Sequence, residues 1–347
     1  MNFGHRYLRL SALLLVSLGS GCAGAGQPPA LPAPEAAGTA PGPSGSFESS
    51  VARGKVSPAA TTAPTPTPPP APTTLKVGAY VAPNASASPG LSSIATLETA
   101  LGRKLDYDLH YYPLTYKYPG ADLEDDAANG RTPIISLKCN GDTNAEIASG
   151  SYDAQIDAMA TALAAYGNTV VIRYLWEMNS KITSNYPADC AGPDDTNGYF
   201  NASDYIAAWD HLRARFILDG ATNVKWFWCP DDDANTLPPY FPGASEVDYI
   251  GVDIYARPSE TYTWYTKHAQ AVYASIVALA PGLPFIVGET GTESSEQVTF
   301  FNSLQSLYAT MPAITAWVYL DGSGALGNWE VQPGTAEFAA FKNAANP

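Results

Sequence analysis

The sequence predicts a single (β/α)8 barrel over residues 75–347. From Leu75 onward the chain carries eight strand-like runs, most of them separated by helical patterns. These runs are nearly continuous in apolar residues, as in parallel sheets that are covered on both faces. Eight such units in about 270 residues match the usual size of one barrel. An open doubly wound sheet is the main alternative, but its glycine-rich phosphate loop is missing after the first strand.

The predicted elements alternate along the chain as βα units do. The strands are predicted at Lys76–Val81, Tyr107–Leu114, Pro133–Leu137, Thr169–Leu175, Val224–Trp228, Tyr249–Tyr255, Pro284–Gly288 and Ile314–Tyr319. The helices are predicted at Leu91–Leu101, 151–165, Tyr205–Leu218, Trp264–Leu279, Gln297–Tyr308 and Ala336–Lys342. Because a barrel of this type carries its chemistry at the carboxyl ends of the strands, this order selects a short list of candidate residues.

Composition favours a protein that handles neutral polar ligands. The chain has 18 basic and 33 acidic residues, so its net charge of −15 disfavours binding to nucleic acid or anionic lipid. Aromatic residues make up 11% of the chain against 15% for charged residues, and 21 of them are Tyr. Sugars present apolar C–H faces to aromatic rings and hydroxyls to polar groups. The simpler interpretation, that the aromatic residues fill a large core, stays open.

Residues 1–21 have the pattern of a secretory signal peptide. The positive start contains Arg6 and Arg9, and the apolar stretch Leu8–Leu18 is too short to span a bilayer. The run Ser17–Cys22 resembles a bacterial lipobox, in which small residues precede a cysteine that becomes lipidated. We therefore expect an extracellular or cell-envelope protein whose only membrane attachment is a lipid anchor at Cys22. Simple cleavage with secretion is the alternative.

Residues 22–74 are predicted to be a disordered linker. They are rich in Ala, Pro, Thr, Gly and Ser, and the run Pro64–Pro70 forms a semi-rigid extended spacer. A segment of this composition cannot bury a core. We expect it to hold the barrel away from the cell envelope.

The remaining cysteines number three, so they can form at most one internal disulfide bond. We favour a bond between Cys139 and Cys190, which leaves Cys229 buried and free. None of them has the paired spacing of a zinc site, and we assign no metal and no cofactor. The acidic run Asp231–Asp233 is interpreted as a solvated turn, within which Asp231 is a candidate sugar contact because it follows a strand end.

Two glutamates stand at the ends of the predicted fourth and seventh strands. Glu177 and Glu289 each follow an apolar run, and these two strands lie across the barrel mouth from each other. Hydrolysis of a glycosidic bond needs one carboxylic acid that protonates the leaving oxygen and, in retaining enzymes, one carboxylate that attacks the anomeric carbon. The alternative is that each glutamate is a strand-terminal surface residue or pairs with Arg173. The occurrence of both on these strands favours catalysis.

The segment Arg173–Asn179 resembles the acid/base segment of glycoside hydrolase family 26. Further similar segments are Trp226–Asp231, Tyr240–Gly243 and Val247–Tyr255, and their order fits that family over residues 75–345. The resemblance implies a (β/α)8 barrel with two catalytic glutamates on strands four and seven. It also implies hydrolysis of β-linked polysaccharide, most often β-1,4-mannan, and also mixed-linkage β-glucan and β-1,3-xylan.

The resemblance implies a role for several residues. Glu177 would be the general acid/base and Glu289 the nucleophile, which Arg173 would help to keep ionised and to which Tyr255 would donate a hydrogen bond. Trp317 would form the floor of the subsite in which the bond is cut.

Other residues of the same segments are predicted to contact the substrate. Asn179 belongs to the Glu-Met-Asn motif, and Trp228 either lines the cleft or packs beneath it. Trp176 stands where the family usually has His, so an aromatic wall replaces a hydrogen-bonding ring beside the reacting sugar. This departure leaves three interpretations open: an endo-β-1,4-mannanase, a mixed-linkage β-glucanase or β-xylanase, and a non-catalytic glycan-binding surface lipoprotein. A monomer is expected in each case.

Overall fold

The computed structural model describes residues 74–82, 93–115, 120–139, 141–182, 198–256, 261–324 and 327–346. The strands are β1 (Lys76–Val81), β2 (Tyr107–Pro113), β3 (Thr132–Lys138), β4 (Val170–Tyr174), β5 (Val224–Trp228), β6 (Tyr249–Ala256), β7 (Phe285–Thr292) and β8 (Ile314–Asp321). The helices are α1 (Ile94–Leu101), α2 (Gly120–Asn129), α3 (Asn144–Ala148), α4 (Asp153–Tyr166), α5 (Ala202–Leu218), α6 (Tyr262–Leu279), α7 (Ser294–Ala309) and α8 (Ala336–Ala345). A two-stranded hairpin, β9 (Ser323–Gly324) and β10 (Gly327–Asn328), follows β8.

The eight long strands form one closed parallel barrel in chain order. Each strand pairs with the next, and β1 closes the barrel by pairing with β8 from Lys76↔Ala316 to Val81↔Asp321. The predicted (β/α)8 fold is confirmed. β7 extends past its predicted end at Gly288 to Thr292, so Glu289 lies within the strand.

Alternation along the strands produces two separate apolar cores. One core lies inside the barrel. Its side chains come from the strands or from the residue directly after a strand, and Leu109, Val171 and Ile286 are among its buried members. The other fills the layer between the strands and the helices. Because successive side chains of a strand point to opposite faces, the residue after each interior position packs against a helix. This rule decides which of the predicted site residues can reach the barrel mouth.

Helix α2 is absent from the sequence-based prediction, for a physical reason. Only Leu123 and Asp126 of its residues are buried, so it carries no apolar stripe that a periodicity argument can detect. Its inner face is instead held by charge: Asp126 accepts a hydrogen bond from Arg131 Nε at 2.7 Å and lies 2.9 Å from His110 Nε2. His110 therefore faces α2 and not the cleft.

The predicted signal peptide and, apart from Thr74, the predicted linker lie outside the described residues. Both therefore remain predictions. In the part of the chain that the structure describes, none of the helices combines the length and the apolarity of a membrane span.

The cysteines follow the prediction as far as they are described. Cys139 is disulfide-bonded, and its predicted partner Cys190 lies outside the described residues. Cys229 is free and fully buried, as expected.

Candidate active site

Three carboxyl groups meet at the carboxyl ends of the strands. They belong to Glu177 after β4, Asp253 on β6 and Glu289 on β7, and an oxygen from each lies within 4.8 Å of an oxygen of the others. Asp253 and Glu289 are nearly inaccessible to solvent, whereas Glu177 is half-buried. The pair predicted from the sequence is therefore brought together, and a third acid stands beside it.

The backbone after β4 is unusual where it presents Glu177. Leu175 and Glu177 have positive φ angles of 42° and 55°, a region that non-glycine residues seldom adopt. The turn is held by the Glu177 N–H, which donates to the Cys229 carbonyl at 2.9 Å. Strained residues of this kind persist where the surroundings over-determine them and cluster at functional sites. The strain aims Glu177 at the barrel mouth.

A register shift directs Glu289 into the barrel. Gly288 lies on the interior side, so simple alternation would turn Glu289 outward. The pairing of β7 with β8 is irregular between Val287 and Thr290, and β6 shifts register at Val252/Asp253 so that Asp253 pairs with Glu289. Bulges near active sites commonly re-aim a side chain in this way.

Three donors converge on the Glu289 carboxylate. Tyr111 Oη donates to Oε1 at 2.6 Å, Tyr255 Oη donates to Oε2 at 2.6 Å, and Arg173 Nη2 donates to Oε1. The hydrogen bond predicted from Tyr255 is therefore present. Such bonds stabilise the ionised carboxylate and fix its orientation.

Arg173 is fully buried on the interior face of β4 and connects the site to the barrel wall. Its Nε donates to Ser136 Oγ on β3 at 2.6 Å, and Nη1 donates to both Asp253 oxygens at 2.8 and 2.7 Å. Burial by itself lowers the pKa of Arg173, but the carboxylates of Asp253 and Glu289 raise it well above its ordinary value. Arg173 therefore stays positively charged beside Glu289, as predicted.

Glu177 differs from its two acidic neighbours in having no donor. Among the described residues, none donates a hydrogen bond to its carboxyl group. Burial, followed by the negative charges of Asp253, Asp231 and Glu289, raises the pKa of Glu177 well above its usual range, and Arg173 opposes this rise. Hydrogen-bond donors hold the carboxylates of Asp253 and Glu289, so the donor pattern favours Glu177 as the group that carries a proton in this cluster. A protonated Glu177 beside an ionised Glu289 is the pairing that an acid and a nucleophile need.

Trp176 forms an aromatic wall next to Glu177. Its ring centroid lies 5.0 Å from that of Tyr111 and 5.5 Å from the Arg173 guanidinium. Tyr111 in turn contacts Tyr80 edge to face, with centroids 5.0 Å apart. The site therefore offers ring surface on the side of β1, β2 and β4.

The structure places two of the predicted tryptophans away from the cleft. Trp228 and Trp317 are both completely buried, because alternation turns them toward the helices and not toward the cleft. Trp228 Nε1 donates to the Tyr240 carbonyl at 3.0 Å, and Trp317 packs edge to face on Phe341 of α8. Trp228 thus packs beneath the site, and Trp317 does not form the floor of a subsite.

Asn179 and Asp231 join two loops at the barrel mouth. The buried Asn179 amide donates to Thr236 Oγ1 at 2.9 Å and accepts from the Asp231 N–H at 2.8 Å, so its polar atoms are used within the protein. This placement contradicts a direct substrate contact by Asn179. Asp231 is half-buried, accepts a hydrogen bond from Ser180 Oγ and raises the pKa of Glu177 by its charge. Its predicted sugar contact stays a prediction.

Sequence patterns assigned no role in the site to Tyr111, Cys229 and Asp253, and suggested Trp329 only as a platform of an outer subsite. Tyr111 and Asp253 point into the barrel from β2 and β6. Because side chains on a strand alternate between its two faces, counting in steps of two from the interior residues Leu109 and Tyr249 would have identified them. Trp329, which follows the hairpin, packs on the Tyr255 ring with centroids 4.8 Å apart. Trp329 reaches the site through a loop, and no periodic signal marks it.

Two clusters have the donor types of a metal site. The first is the trio of Glu177, Asp253 and Glu289, and the second consists of Asp108, His110 and Asp126 behind β2. An arginine contacts each of them: Arg173 pairs with Asp253 and Glu289, and Arg131 pairs with Asp126. A guanidinium in contact with these carboxylates supplies the positive charge that a cation would bring. The described residues thus give no reason to assign a metal.

Fold and site together define a class: a (β/α)8 barrel with neighbouring carboxyl groups at the carboxyl ends of strands four and seven and a buried arginine that contacts the second of them. No protein-family model matches the sequence. Endoglucanase H of Acetivibrio thermocellus is 27% identical over 286 residues, which cover 78% of this chain. The β-1,3-xylanase TXYA of a Vibrio species is 25% identical over 153 residues, or 40% of this chain. The chain spans 30% of the length of each of these two curated relatives.

Solved structures of glycoside hydrolase family 26 share the fold. A β-mannanase from Bacteroides ovatus matches 78% of this chain and 88% of its own with a TM-score of 0.60 at 12% identity. A modular endo-β-1,4-mannanase from Cellulomonas fimi matches 79% of this chain and 70% of its own with a TM-score of 0.60 at 15% identity. The (β/α)8 fold of this chain is therefore the fold of those mannanases.

Proposed function

We propose that the protein is a retaining glycoside hydrolase of family 26 that cleaves a β-linked polysaccharide, with β-1,4-mannan as the leading substrate. One observation carries the proposal. The half-buried Glu177 carboxyl accepts no hydrogen bond from a described residue, whereas three donors hold the Glu289 carboxylate, and an oxygen of each group lies within 4.8 Å of the other. This upper limit favours a retaining enzyme, in which the carboxyl groups are roughly 5–5.5 Å apart, over an inverting enzyme, in which they are about 6.5–9.5 Å apart.

The chemistry follows from the two protonation states. Glu289 attacks the anomeric carbon and forms a glycosyl-enzyme bond, while Glu177 gives its proton to the departing glycosidic oxygen. Glu177, now ionised, takes a proton from water, which attacks the anomeric carbon and releases Glu289. Tyr111, Tyr255 and Arg173 hold the Glu289 oxygens at the start and receive the carboxylate again at the end of the cycle.

The substrate class rests on the named relatives and on the aromatic wall. Mannanases share the fold, and the acidic net charge of −15 disfavours anionic polysaccharides. A second candidate, mixed-linkage β-glucan or β-xylan, is favoured by two observations. The curated relatives are named an endoglucanase and a β-1,3-xylanase, and Trp176 replaces the histidine usual in the mannanase family.

A non-catalytic glycan-binding role is the third candidate, motivated by Trp176. It conflicts with the strain at Leu175 and Glu177, since binding alone does not need a protonated carboxyl aimed at a nucleophile.

We also propose that the protein is exported and attached to the cell envelope through a lipid on Cys22, and that it is a monomer. Mass spectrometry of the amino-terminal peptide would test the lipid.

We expect purified residues 75–347 to release reducing sugars from β-mannan more rapidly than from lichenan, xylan or cellulose. If reducing sugars were released fastest from lichenan or xylan, the second candidate, mixed-linkage β-glucan or β-xylan, would be the substrate. Binding to one of these glycans without hydrolysis of any of them, by a protein with an intact fold, would instead support the third. Proton NMR of the first product formed reports the anomeric configuration, and inversion would contradict the mechanism.

Replacing Trp317 by Phe is expected to lower the free energy of unfolding by about 0.5–3 kcal/mol and to leave KM unchanged, because Trp317 packs on α8 away from the cleft. Trp176→Phe is the matched change on the cleft side and should alter KM. Urea unfolding and steady-state kinetics measure the two effects. A raised KM in Trp317→Phe with unchanged stability would restore the subsite role predicted from the sequence.

A further inference from the structure

We infer that Asp253 is a positioning residue of this site: by pairing with Arg173 it allows Arg173 to hold Glu289 without drawing the proton from Glu177. The inference rests on the proposed function, since it concerns the acid of that reaction.

The contacts of Asp253 are those of a buried, ionised carboxylate. Arg173 Nη1 donates to both of its oxygens at 2.8 and 2.7 Å, and the Cys229 thiol donates to Oδ1 at 3.0 Å. The backbone N–H of Asp253 donates to the Pro230 carbonyl at 3.0 Å, which fixes the residue at the strand end. Only 1% of Asp253 is exposed, so water does not screen its charge from the site.

The neighbouring chain is shaped to admit this carboxylate. A Cβ atom at Gly288 would lie 2.6 Å from Asp253 Oδ1, 2.5 Å from Cys229 Sγ and 3.1 Å from Arg173 Nη1. Any side chain at this position would therefore displace the group formed by Asp253, Cys229 and Arg173. The residue directly before the proposed nucleophile has to be glycine for Asp253 to reach Arg173.

The charge balance explains why a third acid is useful. Arg173 carries one positive charge and contacts two carboxylates, Asp253 and Glu289. With both ionised, the group has one net negative charge, which favours the protonated form of the nearby Glu177. Without the charge of Asp253, Arg173 and Glu289 would cancel each other, and Glu177 would lose its proton at a lower pH.

The donor pattern locates the proton on Glu177 and not on Asp253. Burial raises the pKa of Asp253 well above its ordinary value, and the positive charge of Arg173 opposes this rise. Asp253 accepts three hydrogen bonds from Arg173 and Cys229, whereas no described residue donates to the Glu177 carboxyl. A carboxyl without donors binds the proton first.

The test is the pH dependence of kcat/KM in Asp253→Asn. A charge change at this distance should move the basic limb of the profile, which reports the acid Glu177, to lower pH by about 1–3 units. Activity should therefore fall about 10- to 1,000-fold above the new limb and recover as the pH is lowered. An unchanged limb position in an active variant would overturn the inference.

Ser136→Ala is the matched control. Ser136 also contacts Arg173, at 2.6 Å, but carries no charge. Its removal should lower activity evenly across the pH range without moving the limb. An equal limb shift in both variants would show that any disturbance of Arg173 suffices, and the charge of Asp253 would then have no special role.

A second measurement covers the case in which Asp253→Asn does not fold. Carbon-13 NMR of the wild-type side-chain carboxyl groups should show Asp253 ionised throughout the pH range in which Glu177 titrates. Protonation of Asp253 before Glu177 as the pH falls would overturn the inference. Wild-type protein that hydrolyses no glycan would contradict the proposed function separately, while this titration would still report on Asp253.

Discussion

Glu289→Ala is expected to lower the turnover of β-glycan by about 10⁴- to 10⁶-fold while the barrel stays folded, because it removes the atom that forms the glycosyl-enzyme bond. Arg173 keeps Asp253 as its partner in this variant, so no buried charge is left without compensation. Steady-state kinetics and circular dichroism measure the two quantities. A fluorinated glycoside that traps the intermediate should label Glu289 in the wild-type protein, as seen by peptide mass spectrometry.

Glu124→Ala is the control for this change. Glu124 is an exposed glutamate on α2 and is not among the residues of the site, so its loss should leave turnover unchanged. Near-normal activity in Glu289→Ala would exclude Glu289 as the nucleophile. If the variant lost both its activity and its circular dichroism signal, Glu289 would have a role in folding. Loss of activity in a variant that stays folded supports a catalytic role.

Glu177→Gln is expected to lower the hydrolysis of polysaccharide by about 10²- to 10⁴-fold, the usual contribution of a general acid. Because the pKa of Glu177 is raised in the folded protein, wild-type activity should decline as the pH rises through that pKa and the acid is lost. An aryl glycoside with an acidic leaving group needs little protonation, so its first step should be affected much less. Equal losses on both substrates would argue against Glu177 as the acid.

The same variant should be more stable than the wild type at neutral and alkaline pH. Glu177 has a higher pKa in the folded chain than in the unfolded chain, so its ionisation costs stability. This cost is absent below the unfolded pKa and grows as the pH rises toward the folded pKa. Glutamine removes the cost, and its melting temperature relative to wild type should therefore rise across that range. A lower melting temperature would show that the Glu177 side chain supports the fold.

Much of this arrangement could be predicted because strand order carries positional information. Apolar runs followed by helical patterns determine a barrel, and a barrel places the ends of β4 and β7 on the same mouth. For this reason Glu177 and Glu289 could be selected without any contact being known, whereas Arg173 and Tyr255 were selected through the resemblance to glycoside hydrolase family 26. The distances among these residues, and the donor Tyr111, followed only from the structure.

Side-chain direction explains why neither Trp317 nor Trp228 lies in the cleft. Trp317 and Trp228 stand near strand ends, but the period of two turns both toward the helices. Glu289 departs from this alternation in the other direction: the bulge in β7 turns its side chain into the barrel, although alternation would turn it outward. Proximity to a strand end therefore does not by itself place a side chain in the cleft.

The sequence by itself determined the eight barrel strands and most of their helices, the two glutamates at the ends of strands four and seven, and the expectation of a buried, free Cys229. These features follow from local patterns of apolar, acidic and sulfur-containing residues, which can be identified from the order of residues in the chain. Only the tertiary structure decided the third carboxylate, the donor from Tyr111, the strained turn at Glu177 and the inner face of α2. Each of these depends on atoms from strands far apart in the chain meeting within a few ångströms, and the closure of the barrel is what brings them together.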